Sequence, residues 1–259
     1  MALAQAVVPT VAPLLEALDA EQRAAATLPD GPAQIIAPAG SGKTTTLIAR
    51  LGVLLSRGVA AERIAVVTFN REAAEELSGR IATRLGPLLP GADRIEVRTL
   101  HALARRVLLD AGEPVHLLVD RLPLLRAARR RVVAGRPPDA PPVPDAAALD
   151  TLLSAWKVEG RAPPGDALPA IAVFNDLLAA RGMLDFDDLV VRAVSLLEGD
   201  AALRARWQGR FSHLAVDEFQ DVDAAQLRMV RLLAEPEQNL FVVGDDDQTI
   251  YAWRLAEVK

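Results

Sequence analysis

The stretch Ile35-Ile36-Ala37-Pro38-Ala39-Gly40-Ser41-Gly42-Lys43-Thr44 decides how the rest of the chain is read. A short apolar run beginning at Ala33 passes into small, conformationally free residues, and Thr45 to Leu55 then carries a helical pattern. Glycine lets the backbone approach an anion, successive N–H groups point inward, and a helix N-terminus adds partial positive charge. Ala39, Gly40, Ser41, Gly42, Lys43, Thr44 and Thr45 therefore make a candidate phosphate cradle. Lys43 would reach the β- and γ-phosphates of ATP, and the Thr44 hydroxyl would ligate Mg²⁺. The strict form of this motif has Gly where Ala37 stands. The competing reading is a glycine–serine turn before an ordinary helix with a surface lysine.

A phosphate cradle names no reaction, so the remainder of an ATP site has to be sought. His213-Leu214-Ala215-Val216-Asp217-Glu218 is an apolar strand ending in two carboxylates. Asp217 would hold Mg²⁺, and Glu218 would act as general base on the attacking water. Two acids at the start of a helix are also explained by the helix dipole, and that reading stays open for this segment alone. A second apolar run, Asn239 to Gly244, ends in Asp245-Asp246-Asp247-Gln248. Parallel α/β sheets gather their chemistry at the carboxyl ends of strands, which favours the catalytic reading.

Composition bounds the answer. A chain of 259 residues with 51% hydrophobic content can bury a full core. It has no cysteine and three histidines, which excludes disulfides and Cys-based metal centres and disfavours a His-based one. No apolar run is long enough to span a bilayer, and Met1 to Thr10 lacks an export signal's pattern, so a cytoplasmic protein without membrane contact is expected. A net charge of −5 argues against indiscriminate binding of polyanions and confines any nucleic-acid contact to local surfaces.

Strand-like and helix-like segments alternate. Strands are expected at Ala33–Ala37, Ile64–Phe69, Ile95–Thr99, His213–Asp217 and Asn239–Gly244. Helices are expected at Leu14–Thr27, Arg71–Leu85, Leu100–Ala111 and Val222–Ala234. The uninterrupted apolar run Ile64-Ala65-Val66-Val67 suits a strand buried on both faces of a parallel sheet. An α/β fold with a parallel sheet follows.

Between about Gly112 and Leu184 the rhythm breaks. Helical patterns at Arg121–Ala134, Asp145–Lys157 and Asp166–Arg181 are interrupted by the proline-rich run Arg136 to Pro144, which forbids regular structure. This is read as an inserted, mainly α-helical subdomain, residues 112–184, between sheet-bearing segments 1–111 and 185–259. Arg121, Arg126, Arg129, Arg130, Arg131 and Arg136 make its first helix basic, either as a solvated face or as a phosphate-tracking surface. Asp185, Asp187 and Asp188 are expected to cap a helix and to hold no metal.

Taken together the motifs resemble the UvrD/Rep-like superfamily 1A DNA helicases, in the family's motif order and over nearly the whole chain. Leu18 to Ala25 is similar to its Q motif, with Gln22 on the adenine edge; the glycine turn is its motif I. Val67 to Ala74 resembles motif Ia, and Arg98 to Ala104 the next DNA-facing motif. Gly182 to Leu189 resembles the return from the insertion, Val216 to Asp221 motif II, and Val243 to Arg254 motif III. The resemblance implies a RecA-like P-loop ATPase sheet, ATP and Mg²⁺ as ligands, and single-stranded DNA or a single-strand/duplex junction as partner. It implies movement 3′ to 5′, in DNA repair or recombination. It assigns Gln248 to the γ-phosphate beside Lys43, Asp217 and Glu218. It assigns Phe69, Asn70, Thr99, His101, Tyr251, Trp253 and Arg254 to DNA, with Tyr251 and Trp253 stacking on bases and Phe69 with Asn70 in a second base-contacting pocket, core packing being the competing reading for Phe69.

Members of that family continue into a second RecA-like domain that supplies arginine fingers, and the usual Gly after the motif III arginine is Leu255 here. The expectation is that this chain alone binds Mg–ATP weakly, hydrolyses it poorly and unwinds nothing. A truncated, non-motor nucleotide- or DNA-binding module is the alternative. A small-molecule kinase is a third reading, disfavoured because a kinase has no use for Gln248, Tyr251, Trp253 and Arg254 in that spacing.

Overall fold

A computed structural model describes residues 9–137, 139–236 and 239–245. Five strands, β1 (Ala33–Ile36), β2 (Ile64–Thr68), β3 (Glu96–Thr99), β4 (His213–Val216) and β5 (Leu240–Gly244), form one sheet in the order β1-β5-β4-β2-β3. Every pairing is parallel. The helices are α1 (Ala12–Glu16), α2 (Ala20–Ala26), α3 (Lys43–Ser56), α4 (Arg71–Arg84), α5 (Leu100–Asp110), α6 (Leu122–Ala134), α7 (Ala146–Glu159), α8 (Leu168–Ala179), α9 (Phe186–Gly199), α10 (Ala201–Gln208) and α11 (Ala224–Ala234). None is long and apolar enough to cross a membrane.

All five residues of β2 are buried, as its unbroken apolar run requires. Its Ile64 and Val66 join Ala215, Phe241 and Val243 in a core completed by Leu47, Ile48 and Leu51 of α3 and Leu77 and Ile81 of α4. Ala65, Val67, Leu214, Val216 and Val242, which alternate to the opposite side, are buried as well, so both sheet faces are covered. Register then lines up the carboxyl ends: Ile36 lies beside Gly244, Val242 beside Val216, and Thr68 beside Thr99.

Two compact units share the chain. One comprises residues 1–102, 201–222 and 230–259, and contains the sheet; the other comprises 103–200 and 223–229 and is helical. Within the helical unit α9 packs on α7. Its core is Leu124, Leu125, Ala128, Leu149, Leu153, Ile171 and Phe174, from α6, α7 and α8.

Three expectations are corrected. The single helix Leu14–Thr27 is two, because Asp19 adopts an extended backbone and starts α2 with a capping box, its carboxylate accepting from the Gln22 N–H and the Gln22 side chain accepting from its own N–H. The helix of the glycine turn begins at Lys43 rather than Thr45. Finally, the arginines around α6 do not all form a surface. Arg121 turns inward to Asp150, Asp185, Asp187 and Ser154, and Arg129 donates to the Val143 and Pro144 carbonyls. Arg126, Arg130 and Arg131 are exposed.

Asp185 does cap α9, accepting from the Asp188 N–H at 2.9 Å while Asp188 accepts from the Asp185 N–H at 3.0 Å. It also sits fully buried against Lys157 at 2.9 Å and Arg121 at 3.3 Å. Burial opposes its ionisation, yet Lys157, the Asp188 N–H and Arg121 outweigh that and hold the carboxyl below its usual range. A carboxyl depressed in the folded state contributes stability that is present at neutral pH and lost as pH falls through the acid range. Asp185→Ala removes a helix cap and takes one carboxylate each from Lys157, which keeps Asp188, and Arg121, which keeps Asp150 and Asp187, so it is expected to lower stability by about 1–2 kcal/mol at pH 7. Urea unfolding at pH 7 and again near pH 3 checks this, with the difference between variant and parent shrinking in acid.

Candidate active site

The carboxyl edge of the sheet collects the polar groups. After β1 the chain turns through Gly40 at φ 77° and Gly42 at φ 81°, and α3 starts at Lys43. The left-handed region suits glycine, and a Cβ on Gly42 would lie 2.7 Å from Gln22 Nε2. Gln22 occupies that space: its Nε2 donates to the Ser41 carbonyl at 2.8 Å. The helix carrying Gln22 is fastened from behind. Arg50, on the buried side of α3, donates to the Ala26, Leu28 and Pro29 carbonyls, and Arg57 to those of Thr27 and Leu28. Burial, with Arg57 nearby and Asp30 in opposition, brings the Arg50 guanidinium down to about 10. Its signal in the sequence is a charged residue on the apolar stripe of a helix.

Lys43 Nζ donates to the Ala37 carbonyl at 3.0 Å and to that of Pro38 at 3.4 Å, and it lies 3.5 Å from the Asp245 carboxylate at the end of β5. Asp245 is 3% exposed. From the end of β4 comes Asp217, 7% exposed, whose N–H continues the sheet by donating to the Val67 carbonyl. Burial and the neighbouring Glu218 push the Asp217 carboxyl up to about 6, against the Glu218 N–H bond and the charges of Lys43 and Arg80. Lys43 is therefore within electrostatic reach of Asp217. A buried acid so destabilised in its charged form is a fitting ligand for a divalent cation, which would favour ionisation.

Glu218 takes up φ 52° and ψ 50°, the left-handed region, alone among the described non-glycine residues. Its Oε2 accepts from Gln220 Nε2 at 2.6 Å, and Gln220 Oε1 accepts from the Asp245 N–H at 3.0 Å. Gln220 falls within the segment that resembles motif II, which gives it no individual role.

The other strand ends carry the residues expected to face DNA. Phe69, beyond β2, is 53% exposed. Asn70 caps α4, accepting from the Ala73 N–H at 2.8 Å, and Thr99 Oγ1 accepts from the Ala102 N–H at 3.1 Å. Arg71, Glu75, Ser78, Arg98 and Thr99 line an open groove of about 490 Å³ there. His101 lies in the first turn of α5. Gln248, Tyr251, Trp253 and Arg254 lie outside the described residues.

A parallel sheet with a glycine turn and helix after one edge strand, and carboxylates after the next two in space, defines a RecA-like P-loop α/β protein. The model of the UvrD/REP helicase N-terminal domain matches residues 18–132 and 159–259, and the chain belongs to that family. It is 34% identical to the ATP-dependent DNA helicase PcrA of Bacillus subtilis over 95% of this chain and 35% of PcrA. Identity is 34% to the ATP-dependent DNA helicase UvrD2 of Mycobacterium tuberculosis, over 93% of this chain and 38% of that protein. It is 31% to the ATP-dependent DNA helicase Rep of Escherichia coli, over 92% and 37%. The chain thus spans little more than a third of these relatives.

Proposed function

We propose that the chain is the ATP-binding portion of a DNA helicase or translocase that couples hydrolysis to movement on single-stranded DNA. The observation that carries this is the convergence at one sheet edge: Lys43 from the turn after β1, Asp245 from β5, and Asp217 with Glu218 from β4, which are adjacent strands. The triphosphate would lie on the backbone N–H groups of Gly40 to Thr45, with Lys43 leaving the Ala37 and Pro38 carbonyls for the β- and γ-phosphates. Thr44 and Asp217 would hold Mg²⁺, which supplies charge stabilisation to the transferring phosphoryl group. Glu218 would take a proton from a water whose oxygen bonds to the γ-phosphorus as the bond to the ADP oxygen breaks, giving ADP and phosphate. Gln22, whose amide already meets the Asp19 N–H and the Ser41 carbonyl, would read the base with its second Nε2 hydrogen and remaining Oε1 lone pair. The family's ATP-dependent DNA helicases support this reading.

Residues 1–111 and 185–259 are assigned to the motor and 112–184 to its inserted helical subdomain; Gln248 is assigned to the γ-phosphate. Polarity is taken as 3′ to 5′, and the setting as DNA repair or recombination. DNA would pass over the ends of β2 and β3, where Phe69 offers an exposed ring beside Asn70, Thr99 and His101. Tyr251, Trp253 and Arg254 are assigned to the same strand.

Stacking of a base on an aromatic ring is worth about 1–3 kcal/mol. Phe69→Ala is therefore expected to weaken oligo-dT binding about tenfold or more, measured by fluorescence anisotropy, with Mg–ATP affinity unchanged. Equal oligo-dT affinity in the variant would remove Phe69 from the DNA path.

A further inference from the structure

We propose that Gln220 is the positioning residue for Glu218, an amide brace that aims the base by tying it to the end of the neighbouring strand. The proposal rests on the reading of Glu218 as general base. Gln220 is 8% exposed, and both ends of its amide are engaged. The orientation of that amide is chemically forced. The Asp245 N–H can only donate, so the atom facing it is Oε1, and Nε2 with its two hydrogens must face Glu218.

The fit around the brace is close. Gly244 stands at the end of β5, and a Cβ there would lie 3.1 Å from Gln220 Oε1 and 3.4 Å from the Gln220 nitrogen. A larger residue at 244 would push the amide away from Asp245. Glu218 itself sits in a left-handed backbone conformation, which costs a residue with a side chain about 1–2 kcal/mol. A conformation of that kind persists when surrounding bonds over-determine it, and Gln220 supplies one directly to the carboxylate. An amide is chemically suited to aiming a base. As a neutral donor it fixes Oε2 without neutralising the negative charge the base needs, and it leaves Oε1 to take the proton from water. A lysine or arginine in its place would form an ion pair and weaken the base.

Three variants of the chain separate the possibilities: Gln220→Met, Gln220→Glu and, as the reference for the base itself, Glu218→Gln. Each is measured for Mg–ATP affinity by titration calorimetry, for single-turnover hydrolysis with protein in excess over ATP and oligo-dT present, and for hydrogen exchange of the Asp245 amide. Met keeps the length of the side chain and loses both bonds. Hydrolysis is expected to fall at least tenfold, affinity to stay within about threefold, and the Asp245 amide to exchange faster. Glu keeps the acceptor for the Asp245 N–H and, ionised in assays run above pH 8, sets a second carboxylate against Glu218 in place of the donor. Its amide protection should match the parent while hydrolysis again falls at least tenfold. Slow hydrolysis with a protected Asp245 amide is the result a purely structural brace would not give. Should the Met variant not fold, the Glu variant alone decides. Parent-like hydrolysis in the Glu variant, beside an inactive Glu218→Gln, would overturn the proposal and leave the base assignment standing. Parent-like hydrolysis in Glu218→Gln would instead overturn the base assignment on which it rests. If no variant and no parent turns over measurably, an Asp245 amide that exchanges at the parent rate in Gln220→Met overturns the brace, and faster exchange supports it.

Discussion

Lys43→Ala is expected to lower Mg–ATP affinity by at least about tenfold and toward a hundredfold, because a charge-assisted hydrogen bond to a phosphate is worth about 1.5–3 kcal/mol. The ammonium donates to two carbonyls of its own turn and lies beside a buried aspartate. Those contacts hold it at the mouth of the cradle, so little side-chain ordering remains to be done on binding. The substitution also withdraws a cation from Asp245, so the variant should be somewhat less stable as well as weaker in binding. Calorimetric titration with a non-hydrolysable ATP analogue, alongside urea unfolding, measures both effects. Unchanged affinity would reduce the glycine turn to an ordinary helix start.

The second large effect runs the other way. Asp217→Asn is expected to make the ligand-free chain more stable at pH 8 while removing the gain in ATP affinity that Mg²⁺ would bring. The Asp217 carboxyl is raised to about 6 by burial and by Glu218. A carboxyl whose folded pKa lies above its unfolded one binds more protons folded than unfolded between those values, so stability rises as pH falls through that window. At pH 8 the ionised group is a liability of roughly 2–3 kcal/mol, at about 1.4 kcal/mol per pKa unit, and asparagine removes it. Unfolding curves at pH 8 and pH 4 test the sign: the advantage of the variant should be large at pH 8 and small at pH 4. A destabilised variant at pH 8 would mean the carboxylate is satisfied by something other than a bound cation. The same buried acid that weakens the empty fold is what would draw Mg²⁺ to it, a compromise between stability and activity.

Much of this was legible from residue order. The buried run Ile64 to Val67, the glycines at 40 and 42, and the aspartates that end β4 and β5 carry their physics locally: strand burial, left-handed backbone and strand-end chemistry. Asp185 was legible as a cap for the same reason, since a carboxylate just before an apolar period has one obvious donor to meet. What escaped were interactions across long sequence separations. Arg121 reads as part of a basic helix, yet it is spent on Asp150, Asp185 and Asp187. Arg50 reads as a break in an apolar stripe, yet it holds the turn after α2. Gln220 reads as part of the motif II segment with no individual role, and only the register of β4 against β5 brings it to Asp245. The break at Asp19 escaped differently: apolar spacing runs straight through it, and the capping box overrides the period.

The central claim is that the glycine turn and the acidic end of β4 are two halves of one Mg–ATP site. The affinity of a fluorescent ATP analogue, titrated with and without Mg²⁺ for the parent chain and for Asp217→Asn, tests it most directly. The account predicts that Mg²⁺ tightens binding in the parent and that this gain disappears in the variant, with Mg²⁺-free affinity little changed. A Mg²⁺ gain of the same size in both proteins would contradict it.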